Sequence, residues 1–104
     1  MAQIEWTIKA SRDFDRLVEY LSDWLGPLAD KYIDELLSLI DSLVEFPRRG
    51  RAVPEINRAE VRELIFRGYR VIYEIKDERL VLLGIRHGSV NLQREIRRGQ
   101  WGDV

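Results

Sequence analysis

The chain has no cysteine, one histidine, one methionine and three prolines among its 104 residues. Without cysteine there is neither a disulfide framework nor a thiolate metal site. A single histidine leaves an imidazole-built metal centre short of ligands, so no metal and no other cofactor is expected. No uninterrupted apolar run approaches the ~18–20 residues that cross a bilayer. The start of the chain, Met1 to Trp6, has no basic segment followed by an apolar one, as a secretory leader would. Internal repeats and low-complexity segments are missing too. These absences lead to the expectation of a soluble, cytoplasmic protein with no membrane partner. A hydrophobic fraction of 45% is enough to build a core unaided. The length suits one domain, 1–104, with 89–104 as a C-terminal extension.

What is present is unevenly charged. Met1 to Pro47 holds 4 basic and 10 acidic residues, a balance of −6, while Arg48 to Val104 holds 13 basic and 8 acidic, a balance of +5. Of the 17 basic residues, 14 are arginine. The planar arginine fork suits phosphate and carboxylate better than the point charge of lysine does.

Gln3–Ile8 alternates around Ile4, Trp6 and Ile8, as a half-buried strand does. Ser11 is a candidate helix cap, with Asp13 and Asp15 in the first turn. Phe14, Leu17, Val18, Leu21, Trp24 and Leu25 then follow helical spacing. Gly26-Pro27 ends that helix and starts another, whose wide apolar stripe runs from Ala29 to Val44 and closes at Phe46-Pro47. So short a break makes the pair an antiparallel hairpin. Residues 48–59 read as loop. Val61 to Gly88 carries three β-branched and aromatic runs separated by tight polar breaks, an antiparallel meander. Asn91 to Arg98 suits a short C-terminal helix, and Gln100-Trp101-Gly102 a frayed end with Trp101 exposed. Trp6 and Trp24 read as packing residues. The order β-α-α-β-β-β gives an α+β fold: an antiparallel four-stranded sheet with an N-terminal helical hairpin on one face.

Strand parity divides the sheet. Tyr69, Val71, Tyr73 and Ile75, with Val81, Leu83, Ile85 and His87, are expected against the helices. Arg70, Ile72 and Glu74, with Leu80, Leu82, Gly84 and Arg86, are expected on an open face, joined by Arg62. A bulge would invert part of this register. An arginine inside a strand must reach water or an anion, because burying it unpaired is costly. The arginine-bearing face is therefore where function is sought.

The residues carry a resemblance. Trp6 in the opening strand, Ala10, Pro47, Gly50-Arg51, Val53-Pro54-Glu55, Arg62-Glu63-Leu64, Tyr69-Arg70-Val71-Ile72-Tyr73 and Ile85-Arg86-His87-Gly88 follow one another as in the RelE/ParE superfamily of type II toxin–antitoxin toxins. The chain resembles that superfamily over roughly Ile4 to Leu92. The resemblance implies a cognate antitoxin of the ParD/RelB kind, whose disordered segment wraps the toxin in a hetero-oligomer. It implies one of two targets, the ribosome with its mRNA or DNA gyrase. In the ribonuclease class a ribose 2′-hydroxyl attacks the adjacent phosphate, which calls for a base, cations and an acid. Arg70 falls at that class's phosphate-binding arginine and Arg86 or His87 near its terminal acid or second cation, with Glu55 or Glu63 as base. Three departures favour the ParE side: residues 48–60 hold no lysine, no tyrosine follows His87, and a net charge of −1 is low for docking on ribosomal RNA.

On that reading the binding residues are Arg62, Arg70, Arg86, Arg94, Arg97 and Trp101, and catalysis by Arg70, Arg86 and His87 applies only to a nuclease. The stripe on the second helix, with Leu80 and Leu82 exposed beside it, is the expected antitoxin groove. Deleting 89–104 is expected to spare antitoxin binding more than toxicity. A non-toxic binding module is the remaining alternative.

Overall fold

The computed structural model describes residues 3–104. β1, Gln3–Trp6, is shorter than its alternation suggests, because Thr7 stops it and caps the first helix. The Thr7 hydroxyl accepts from the Ala10 amide at 3.0 Å and donates to the Leu82 carbonyl at 2.9 Å. α1 therefore starts at Ile8, ahead of Ser11, and runs to Leu25. Gly26, at φ +54°, makes the left-handed exit that a side chain would resist. A 3₁₀ turn, Gly26–Leu28, leads into α2, Ala29–Asp41. β2 (Arg51–Ala52), β3 (Val61–Phe66), β4 (Tyr69–Lys76), β5 (Arg79–His87) and α3 (Leu92–Arg97) complete the chain.

The sheet has five strands in the order β1-β5-β4-β3-β2 and is mixed. β1 runs parallel to β5, pairing Gln3 with Arg79 through Trp6 with Leu82, while the other neighbours are antiparallel. This overturns the expected four-stranded antiparallel sheet. Alternation along one strand carries no information about the direction of its neighbour. Here the helical hairpin carries the chain across the sheet before it returns, so the first strand meets the last one in parallel. β2, only two residues long, is too short to show a period in the sequence.

One irregularity rearranges both faces. Tyr73 pairs with Leu82 but Ile72 pairs with Gly84, so β5 carries one extra residue, a β-bulge. Leu80, Leu82 and Ile85 consequently face the helices with Val71 and Tyr73, against Leu17, Leu36, Ile40 and Leu43. Leu80 and Leu82 are 0% and 1% exposed, so they form no antitoxin groove. Leu83 turns to the other side.

That other side is not open. Val53, Val61, Ile72, Leu92 and Trp101 form a second buried cluster, with Ile56, Leu83, Ile96 and Val104 at its border. The loop before β3 and the C-terminal tail lie over the sheet and close it. Trp101 is only 5% exposed, contrary to the expectation of a frayed end. Its ring fits over Gly84, where an added Cβ would lie 2.5 Å from Trp101 Cη2 and 2.9 Å from Asp13 Oδ2. Trp24, expected to pack, is instead 76% exposed beside Tyr20. Trp6 does pack, edge-on against Phe14. Among the described residues no helix is long and apolar enough to cross a membrane.

Candidate interaction site on the arginine face

The register sets Arg70 of β4 directly opposite Arg86 of β5 on the face away from the helical hairpin. Like charges so placed repel, and carboxylates from three other segments offset the repulsion. Glu55, on the loop between β2 and β3, takes both Nη atoms of Arg70 in a fork, at 2.7 and 2.8 Å. Glu63 of β3, whose side chain is fully buried, accepts from Arg70 Nε at 2.6 Å and from Arg51 Nε at 2.7 Å. Glu95 of α3 forks onto Nε and Nη2 of Arg86, and it also accepts from the Trp101 indole N–H at 3.1 Å. The two strand arginines thus latch the loop and the tail onto the sheet.

Forked, partly buried pairs of this kind are stronger than neutral hydrogen bonds. The hydrogen bond from Arg70 holds the Glu55 carboxyl below its ordinary range, and the one from Arg86 does the same for Glu95. Both guanidinium groups are pushed up by the same partners, Glu55 first for Arg70 and Glu95 first for Arg86. A carboxylate so acidified is a poor proton acceptor, and a phosphate approaching either arginine must first displace a fork.

The lowered carboxyl of Glu95 has a pH consequence. Its folded value lies below the ordinary 4.5, so the latch contributes its full stability above that pH and loses it as pH falls through the depressed value. The melting-temperature gap between wild type and Glu95→Gln is expected to stay constant from neutrality to about pH 4.5 and to shrink below it. A gap that persists in strong acid would remove the charge of Glu95 from the latch.

The remaining candidates are dispersed. Arg62 stands opposite Tyr73, so it lies on the helix side and not beside Arg70. It donates to the Gly50 and Ala59 carbonyls and braces the loop, to which the Tyr73 hydroxyl also donates, at the Pro47 carbonyl. His87 is opposite Tyr69 at the end of β5 and packs edge-on against it at 5.2 Å. Its Nδ1 lies 3.1 Å from the Ser89 amide nitrogen and 2.7 Å from the Ser89 hydroxyl. His87 and Arg86 border one small depression with Tyr20 and Tyr69, and Arg70 is not part of it. Arg94, Arg97 and Arg98 are exposed on and just after α3, without a carboxylate in ion-pair range among the described residues. Trp101 is a packing residue. Among the described residues no group of three or more His, Asp or Glu side chains is placed to hold a metal.

The sequence pattern marks Asp13 only as a first-turn acid. It is buried, accepting from Lys9 Nζ at 2.9 Å and from the Ile85 amide, beside the bulge, at 3.0 Å. Its spacing four residues after Lys9 was visible, but the bulge amide it satisfies was not.

Comparison with known proteins is consistent with this architecture. The family described as the ParE toxin of type II toxin–antitoxin systems, parDE, matches over residues 4–92. Toxin RelE2 of Caulobacter vibrioides is 31% identical over 90 residues, covering 86% of this chain and 98% of that protein. Among solved structures, the chromosomal ParDE system of P. aeruginosa superposes with a TM-score of 0.69 at 22% identity, over 84% of this chain and 96% of the other. The RelBE2 toxin–antitoxin complex of Mycobacterium tuberculosis gives 0.54 at 22% identity, over 83% and 96%.

Proposed function

This chain belongs to the ParE toxin family of type II toxin–antitoxin systems, and from that premise we propose that it inhibits DNA gyrase and is neutralised by a cognate antitoxin. The observation that carries this reading is the engagement of the strand arginines. Arg70 and Arg86 already hold Glu55, Glu63 and Glu95. RNA cleavage calls for a base and for cations that stabilise a phosphorane. In this sheet the candidate bases and the candidate cations neutralise one another. Among the described residues the tail carries exposed arginines that have no carboxylate partner, and we assign target contact to two of them, Arg94 and Arg97. The antitoxin partner is supported by the two structural relatives, both described as toxin–antitoxin systems.

The likeness to a protein named Toxin RelE2 favours the second reading, a ribosome-dependent mRNA endoribonuclease. In that case an incoming phosphate would take over Arg70 or Arg86 from its carboxylate, with His87 at the edge of the site.

Arg70→Ala is a poor discriminator, because it also strips a partner from the buried Glu63. The double variant Arg94→Ala/Arg97→Ala touches only exposed side chains and should change stability by no more than ~0.5 kcal/mol. It is expected to lower inhibition of gyrase supercoiling by about tenfold, as losing one or two charge contacts does. Wild-type protein should leave mRNA intact on translating ribosomes. Ribosome-dependent cleavage at defined codons, with gyrase unaffected, would replace the gyrase assignment with the nuclease one.

A further inference from the structure

A second basic locus lies where the start of α1 meets the C-terminal tail. Lys9, Arg12, Asp13 and Arg16 follow the i, i+3, i+4, i+7 pattern and so share one helix face. That face, Arg86 of β5 and Gln100 of the tail line a depression of about 370 Å3. All six lining residues are polar or charged, and four are cations. Asp13 on its floor is already engaged by Lys9 and the Ile85 amide. Lys9 is held in place by the Trp101 ring, 4.1 Å beneath its Nζ. Arg86 is tied to Glu95.

Arg12 and Arg16 differ from the other cations. Both are exposed, and neither has a carboxylate within ion-pair range among the described residues. They stand one turn apart, about 6 Å along the helix axis, so two forks can engage successive anions on one strand. The first turn of α1 holds no acidic residue, and the helix dipole adds to the positive field there.

We propose that this depression binds the phosphate backbone of duplex DNA, with Arg12 and Arg16 as its principal contacts. The alternative occupant, an acidic protein segment, fits less well. Affinity in protein interfaces is concentrated in buried aromatic or aliphatic anchors, and this depression offers no apolar residue to receive one. A phosphodiester chain needs no such anchor, since charge neutralisation and counterion release supply the affinity. A groove of the other kind exists elsewhere on the molecule, where Phe46, Pro47 and Ile75 form an apolar floor. The proposal is independent of the choice between gyrase and ribosome, because the site is tested on the protein alone.

The experiment is fluorescence anisotropy of the full chain with a random-sequence DNA duplex of about 20 base pairs, repeated over a series of salt concentrations starting near 50 mM. Wild type is compared with Arg12→Gln/Arg16→Gln, whose fold is verified by circular dichroism. The double variant is expected to bind at least fivefold more weakly, and its log–log salt slope should be shallower by about 1.8, two phosphate contacts' worth. No binding by wild type at the lowest salt, or an unchanged slope in the variant, would overturn the proposal. Tighter binding of single-stranded RNA, or of an oligoglutamate of matched charge, would also overturn it by assigning the locus to another ligand. None of these outcomes touches the gyrase assay.

Discussion

Replacing Glu63 by alanine is expected to cost about 3–5 kcal/mol, toward the lower end of that range. The carboxylate is fully buried and joins Arg51 of β2 to Arg70 of β4 through both of its oxygens. Removing it strands the Arg70 guanidinium, whose side chain is only 11% exposed, with one partner in place of two. Glu55 still forks onto Arg70 and Arg51 is free to turn to water, which is why the upper end of the range is not reached. Against a total stability of about 5–15 kcal/mol for such a domain, this approaches unfolding. Glu63→Gln keeps one acceptor oxygen, enough for one of the two arginines, loses the charge and turns an amide donor toward the other, and should fall between. Urea denaturation of the three proteins checks the order. A loss under about 1 kcal/mol for Glu63→Ala would mean that water enters and solvates Arg70, so that the carboxylate is not the centre of the network.

Trp101→Ala should cost a similar amount, about 3–5 kcal/mol, as aromatic truncations in cores do. The ring fills the space over Gly84, supports Lys9 and donates its N–H to Glu95. Trp101→Phe retains most of the packing and loses the hydrogen bond, a net effect of about 1 kcal/mol. Thermal melts distinguish the two. A melting temperature for Trp101→Ala within a few degrees of wild type would show that the tail can detach from a self-sufficient sheet. The same packing changes the expectation for truncation. Deleting 89–104 removes Leu92, Ile96 and Trp101 together and exposes Val53, Val61 and Ile72. Such a deletion is expected to unfold the sheet, so it cannot separate antitoxin binding from toxicity; point variants of the exposed tail arginines can.

Much of the secondary structure was legible because it depends on local periodicity. The helical spacing from Phe14 to Leu25, the Gly26-Pro27 break and the runs within Val61–Gly88 each express a preference satisfied within a few residues. The family resemblance was legible for the same reason, since it rests on short motifs in a fixed order, and the match over residues 4–92 bears it out. Arg70 and Arg86 were placed on one face correctly, because both lie on the same side of the bulge and parity holds between neighbours.

The direction of β1, the bulge at Leu83 and the burial of Trp101 depend on segments far apart in the chain. Parallel pairing of β1 with β5 joins Gln3 to Arg79, and no local pattern records such a contact. The bulge is stabilised by Asp13, 72 residues before the amide it accepts from, so the inversion of Leu80 and Leu82 toward the core had no nearby signal. The fate of the arginine face was decided the same way. Sequence established that buried arginines there need anions; only tertiary structure decided that the anions are the chain's own Glu55, Glu63 and Glu95. An ion pair forms wherever folding brings two charges together, and parity specifies the side of a sheet without specifying what covers it.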